Sequence, residues 1–471
     1  MTSAYETIPL TGSFEGAASK IPSHRGIPFL GVYFAFKKNP LAFMQQARGR
    51  YGPLVRMPLM GFPFVLVGDA HLAHKVMAHD MGFFGKSRSA KRSSPLVGEG
   101  LILSEGDKWL RMRKLASPFF HPKKLALLTS RMEAICSLHL KEEFASFGGV
   151  ISVEKSMTRL AMSLFSECFL GLSKEDAGYS PKAMSKLHAA FYGAMGEVSA
   201  RSLSGLCAPM WAMTPSVRRL KSHIRVIDDA MEKIIKERRR LMARGVIGDD
   251  FLSCLLSASE SEAGFSWKEA RDELVTFMLA GHETTATALT WLVYHIACHP
   301  NVAAKLQEEI SAFSMANLNP SFFKELSYTH KVIKESLRLS PPVWMFRREA
   351  KESGVFCGYK IKKGDIFMIS PYLLQRDPRY WPNPDAFDPS RVSQGGEAFF
   401  PFGIGKRHCI GMNFAMMEMG LFLVALFKGY RFSMQEGLRL GVKCQVTLKP
   451  DRDFNIKLSS NSKRKKIKDQ A

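Results

Sequence analysis

The stretch Phe402-Gly403-Ile404-Gly405-Lys406-Arg407-His408-Cys409-Ile410-Gly411 decides how the rest of the chain is read. Its glycines permit a tight turn with backbone N–H groups aimed at a sulfur, while Arg407 and the start of the helix-like run Met412 to Phe427 favour negative charge. Both effects lower a thiol pKa and predict a Cys409 thiolate, fit to act as nucleophile or metal ligand. A nucleophile needs an adjacent base, and the side chain of its neighbour His408 diverges from it. A haem ligand needs no base, and an axial thiolate on haem iron favours O–O cleavage. A buried structural cysteine at a helix start is the plain alternative.

The chain around this loop has 471 residues, 46% of them hydrophobic, with 66 Lys+Arg against 43 Asp+Glu for a formal charge of +23. A body of that size removes roughly three quarters of its unfolded surface from water, so disulfides or a structural metal are not needed for stability. Disorder, collagen and small stapled scaffolds are excluded. The eight cysteines, at 136, 168, 207, 254, 298, 357, 409 and 444, form no CxxC pair and indicate neither a zinc ribbon nor a disulfide framework. The first twenty residues hold no apolar signal core, Ile27 to Phe36 is too short to span a bilayer, and Met1 to Lys20 has two Glu and no Arg, unlike a transit peptide. A soluble cytoplasmic protein without a transmembrane anchor is expected. Basic residues are spread through helical segments with no nucleic-acid-binding signature, and Lys463-Arg464-Lys465-Lys466 reads as a solvated end.

Helix patterns dominate from about residue 105 to 340. Leu54 to Pro58 and Phe62 to Val67 read as a hairpin around Leu59-Met60-Gly61, with further short strands at Gly358 to Ile361, Asp365 to Ile369 and Cys444 to Leu448. With no repeat and no low-complexity linker, the expectation is a flexible segment 1–20, one catalytic domain 21–458 and a basic disordered tail 459–471. The fold class is mainly α with a smaller β-rich part.

The clearest helix begins at Ser266-Trp267-Lys268-Glu269, a capping-box pattern, and runs to Cys298 before His299-Pro300. At about 1.5 Å per residue it crosses roughly 48 Å. Leu274 to Ala297 is apolar enough to consider as a membrane span, but Glu283 and four threonines sit at its middle. A buried helix with a polar centre predicts a site at that centre. His295, Cys298 and His299 have metal-ligand spacing at the helix end, though no fourth ligand is near in sequence.

Phe402, Gly405, Arg407, Cys409 and Gly411 match FxxGxRxCxG, and the chain resembles the cytochromes P450, whose haem-binding loop has this form. Four further matches follow in the right order and extend the resemblance over about residues 22 to 458. Ala280-Gly281-His282-Glu283-Thr284-Thr285 is similar to the family's oxygen-activation sequence. Gly281 lets the helix open a groove, while Glu283 and Thr284 supply an acid and a hydroxyl for proton delivery. Glu335 and Arg338 match the ExxR pair, with Arg391 of Phe387-Asp388-Pro389-Ser390-Arg391 as its structural partner, although Val392 stands where an aromatic is usual. Trp109 and Arg113 match WxxxR, and with Arg407 and Arg348 they are the residues the resemblance assigns to the propionates of haem b, held by the Cys409 thiolate. The fold this implies places the haem between the long central helix and the cysteine loop.

The resemblance implies insertion of one oxygen atom from O2 into an organic substrate, with electrons from a separate donor. Cations at Arg111, Lys114, Lys406 and His408 suit an acidic ferredoxin or flavodoxin with its reductase. Substrate-facing segments by resemblance are Phe83-Phe84, Pro95-Leu96, Phe191 to Met213, Phe277 and Ala280, Val343 with Trp344 to Phe346, and Val446. As a set they suggest a fatty acid, terpenoid or steroid, and the pattern is closer to the fatty-acid-hydroxylating branch than to camphor-type members. A haem-thiolate peroxygenase or hydroperoxide isomerase, and more distantly a haem sensor or a basic nucleic-acid binder, are the alternatives. Members of the peroxide-using kind commonly lack the Glu283-Thr284 pair.

Overall fold

The computed structural model describes residues 18–78, 82–172, 181–203, 210–212, 214–260, 266–391 and 395–461. The basic run 463–466, Cys207 and Val392 lie outside them, as does most of segment 1–20. Helices carry most of the chain, and the described strands form one five-stranded, two three-stranded and one two-stranded sheet.

The hairpin forms between Leu54–Leu59 and Phe62–Val67. Leu59 is paired with Phe62, so the turn is the two-residue Met60-Gly61 rather than the three residues expected. Both have positive φ, 49° and 78°, the backbone twist that a tight antiparallel connection favours. The hairpin continues into a five-stranded sheet through Ile366–Ile369, Phe346–Ala350 and Phe84–Gly85. The Phe62–Val67 and Ile366–Ile369 pair is parallel, and the other neighbours are antiparallel. Tyr359–Ile361 joins Gly354–Phe356 and Ser19–Lys20 instead, so Lys362-Lys363-Gly364 turns the chain from one sheet into another.

One expected strand is a turn. Cys444 to Leu448 is the tip of a hairpin between Val442–Cys444 and Leu448–Pro450, where the Gln445 N–H bonds the Thr447 carbonyl at 3.0 Å. At this tip Thr447 is buried and Val446 is exposed.

The central helix starts where the capping box places it. Glu269 N–H donates to Ser266 Oγ at 3.2 Å and Ser266 N–H to Glu269 Oε2 at 3.0 Å. The helix runs Trp267–Met278, widens to a π-turn at Leu279–Glu283, and continues as Thr284–Ala297. Pro300 opens the next helix. Its neighbours bury it on nearly all sides. Among the described residues, the helix long and apolar enough to cross a membrane is Met412–Gly429 rather than Leu274 to Ala297, and most of it is enclosed by protein.

Glu335 and Arg338, on the helix Ser327–Leu339, are both fully buried and form two bonds of 2.7 and 2.8 Å. Arg338 also donates to the carbonyls of Gln375, Pro384 and Ala386 at 2.7–3.0 Å. Arg391 lies 3.6 Å from Glu335 and also donates to the Pro382 carbonyl. Arg338→Ala takes the charged partner from a buried carboxylate, leaving it the Asp388 N–H and the more distant Arg391, and removes the arginine donors from three carbonyls. It is expected to cost about 3–5 kcal/mol in denaturant unfolding, and Arg338→Lys to recover only part.

Candidate active site

The cysteine loop is closed by its own backbone. Cys409 N–H donates to the Phe402 carbonyl at 2.9 Å, and His408 N–H to Gly405 at 3.0 Å. Gly405 has φ +73°, and a Cβ there would meet the Met77 carbonyl oxygen at 2.8 Å, so a side chain is excluded by both backbone and space. Gly411 caps the helix Met412–Gly429. A Cβ at Gly411 would lie 3.9 Å from the Cys409 sulfur and 3.5 Å from Phe120, whose ring stacks on Phe277 of the central helix at 5.7 Å. Phe120 thus bridges the loop and the central helix.

The expected lowering of the Cys409 pKa is not found. The residue is open on one side, yet enough protein surrounds the thiol that burial raises its pKa, against the pull of the Gly411 N–H and the Arg113 charge. The cations around the loop spend part of their field elsewhere. Arg113 donates to the His408 carbonyl at 2.9 Å, and Arg407 donates to Ser104 at 2.9 Å while lying 4.6 Å over the buried Trp109 ring. Arg348 is buried on the strand face shared with Phe346, which borders Gly403. Trp109, Arg113, Arg348 and Arg407 come from three separated segments to the neighbourhood of the loop. Arg111 does not add to the surface charge as expected, because it pairs with Glu269. Lys114, Lys406 and His408 are exposed.

In the central helix, the π-turn contains Ala280 and Gly281. A Cβ on Gly281 would meet nothing closer than Phe165 at 3.9 Å, and Phe165 itself opens a second π-turn, Phe165–Phe169. Extra residues of this kind mark functional helices. The Thr284 hydroxyl donates to the Ala280 carbonyl across the turn. Glu283 is buried; its Oε1 accepts from Thr447 at 3.1 Å and lies 3.6 Å from Lys449, while Oε2 has no hydrogen-bond partner among the described residues. Beside it, His282 Nδ1 and His188 Nε2 are buried without hydrogen-bond partners among the described residues. Burial, with the nearby His188 charge second, pulls His282 down to about 3. Thr285 donates to Glu418 at 3.0 Å.

A cavity of about 210 Å³ lies along the same helix, bordered by Leu279. Of the expected substrate-facing residues, Leu96, Trp344, Met345 and Val446 line it, with Met195 and Val198 from the Phe191 to Met213 stretch. Phe83 and Phe84 do not: Phe84 is locked edge-on between Phe356 and Phe367 in the core of the large sheet, with Phe83 packed on it. Phe277 is held among Phe120, Phe169 and Phe251, and Val343 is half-buried outside the cavity wall. The wall also includes Ser93, Arg347 and Gln445, which hydrophobicity alone does not select. His295 bonds Ser340 at 2.9 Å and stacks on Phe387, and His299 bonds the His295 carbonyl at 2.7 Å, so neither ring is aimed at Cys298 as a ligand.

A family model described as Cytochrome P450 matches residues 21–453. The chain belongs to the cytochrome P450 family. Cytochrome P450 4V2 of Pongo abelii is 30% identical to it, over 92% of this chain and 88% of that protein. Cyclooctatin synthase of Streptomyces melanosporofaciens is 28% identical, over 90% and 92%. The crystal structure of the cytochrome P450DA heme domain superposes with a TM-score of 0.82 over 95% of this chain and 99% of that one, at 24% identity, a likeness of fold. As a cytochrome P450 the protein is a haem-thiolate monooxygenase. It uses haem b held by a cysteine thiolate, O2, a redox partner and hydrophobic substrates.

The residues present suit a cytochrome P450 haem. Cys409 is an exposed residue, nothing lies closer than 3.9 Å to where a Cβ on Gly281 would stand, and cations that match two carboxylates stand around the loop. Coordination to iron deprotonates a thiol outright, which reconciles its raised pKa here with a thiolate in the holoenzyme.

Burial pushes Glu418 up to about 8 from 4.5, with the Thr285 bond pulling the other way. The folded state then keeps a proton that the unfolded carboxyl has released, so stability falls as pH rises from about 4.5 to 8. Glu418→Gln removes this dependence. Calorimetry of the holoenzyme is expected to give the variant a higher melting temperature than wild type at pH 8, and an equal one near pH 4.

Proposed function

We propose that Cys409 is the axial ligand, that Trp109, Arg113, Arg348 and Arg407 receive the propionates, and that Glu283 and Thr284 deliver protons. Phe402, Ala280, Gly281 and Gly411 shape the space for the ring. The observation that carries this reading is one exposed cysteine in a backbone-closed loop, linked through Phe120 and Phe277 to a buried helix whose π-turn ends on an acid followed by a hydroxyl. When bound, the haem supplies O2 activation and insertion of one oxygen atom, the other leaving as water. The chain's part is positioning and protons. Thr284 holds its hydroxyl at the turn through the Ala280 carbonyl, and Glu283 Oε2 is left to take a proton from water and pass it toward that hydroxyl. Lys449 and Thr447 fix the other carboxylate oxygen.

The substrate we propose is a large hydrophobic molecule of the fatty acid, terpenoid or steroid class, supported by the mostly apolar cavity beside Leu279. The electron donor is proposed to be an acidic ferredoxin or flavodoxin, supported by exposed Lys114, Lys406 and His408 near the loop. A groove of about 570 Å³ lined by Lys334, Phe402 and Met412 lies on that side. A cytoplasmic location belongs to the same proposal, with the enclosure of Met412–Gly429 as its support.

Reduced protein under carbon monoxide is expected to show the red-shifted band of thiolate-ligated haem, and Cys409→Ala to abolish it. Thr284→Ala should keep the band while diverting electrons to peroxide; unchanged coupling removes Thr284 from proton delivery. Stopped-flow reduction of Lys406→Glu should be slowed more at low salt than at high salt, since docking between opposite charges is screened. Equal slowing at both would refute the electrostatic role.

A further inference from the structure

The strand Phe346–Ala350 carries two adjacent arginines on opposite faces. Arg348 shares its face with Phe346, beside the cysteine loop, and Arg347 points to the other side. There Arg347 lines the cavity of about 210 Å³ with Leu96, Leu279, Trp344 and Val446. It also lines a narrow cleft walled by Phe36, Met60, Phe62 and Met368, so this one residue borders both spaces.

The contacts of this guanidinium are those of a cation awaiting an anion. Its Nη1 donates to Ser89 Oγ at 3.0 Å, a neutral acceptor that is itself bonded to Ser87 at 3.0 Å. Among the described residues no Asp or Glu pairs with it, and the nearby charge is another cation, Arg92, which lies 4.8 Å over the Phe62 ring. Burial, with that repulsion second, pulls Arg347 down to about 10, which leaves it charged at neutral pH. An enclosed charge without a counter-ion is costly, and a carboxylate brought by a ligand relieves that cost through a forked, charge-assisted contact. The rest of the cavity wall is mostly apolar.

We infer that Arg347 anchors the carboxylate of a hydrophobic carboxylic acid, making an acid with a long apolar body the substrate class of this site. The apolar body lies toward Leu279, which immediately precedes Ala280-Gly281, so oxidation falls on that body and not beside the head group. This rests on the haem-thiolate reading for its reaction and on Arg347 alone for its selectivity.

Titration of the holoenzyme with dodecanoic acid, methyl dodecanoate and 1-dodecanol, followed by the haem spin-state change, tests it. The acid is expected to bind about 10- to 100-fold more tightly than the ester or alcohol. Arg347→Gln should weaken the acid alone by that factor, and Arg347→Lys should keep most of the preference. Equal affinity of the wild type for acid and ester overturns the inference without any variant, as does a Gln variant that loses ester and acid in step. Silence toward all three ligands counts against it equally. The carbon monoxide spectrum of the same samples separates the two failures. A missing thiolate band strikes the haem reading, and an intact band without acid preference strikes only Arg347.

Discussion

The buried pair Glu335–Arg338 holds together much of what surrounds the cysteine loop. Gln375, whose carbonyl accepts from Arg338, uses its side-chain amide to donate to the Leu337 and Arg338 carbonyls and to accept from Phe400 N–H at 3.0 Å. A continuous set of bonds therefore runs from one helix to the residue two places before Phe402. Two charges removed from water are worth little as an isolated contact, because desolvation offsets their attraction. Here most of the remaining donors and acceptors are matched by backbone groups, including Asp388 N–H on Glu335 at 2.9 Å, and the pair fixes the path of a long irregular segment.

The chemistry-bearing segments were legible because each depends on local covalent facts. A glycine at positive φ, a proline that cannot continue a helix, a Ser-x-x-Glu cap and a cysteine between glycines read the same in sequence and in space. The central helix is the best case: its cap, its end before Pro300 and its polar middle all follow from residue order. The π-turn at Leu279–Glu283 was anticipated only as an opening at Gly281, since hydrophobic periodicity does not resolve one extra residue in a turn.

Tertiary context decided the rest. The charge on the Cys409 thiol depends on how much protein surrounds it, which residue order does not state, and burial outweighed the glycine and arginine effects. Phe83 and Phe84 have the composition of a substrate wall, but Phe84–Gly85 pairs with the strand that carries Arg347, and this turns the Phe84 ring into the sheet core. The same strand alternation separates Arg347 from Arg348, a difference that no composition argument supplies.

The two facing π-turns have a consequence for how this chain tolerates change in length. A residue added to a helical turn rotates everything after it by about 100°, since an α-helix advances 3.6 residues per turn. Deleting one residue from Leu279–Glu283 would swing the second half of the helix by more than a quarter circle and carry Thr284 off the face it now shares with Ala280. Because Phe165 opens the opposing turn against Gly281, a compensating deletion there could restore packing but not the phase of Thr284. At this crossing the count of residues is constrained as well as their identity.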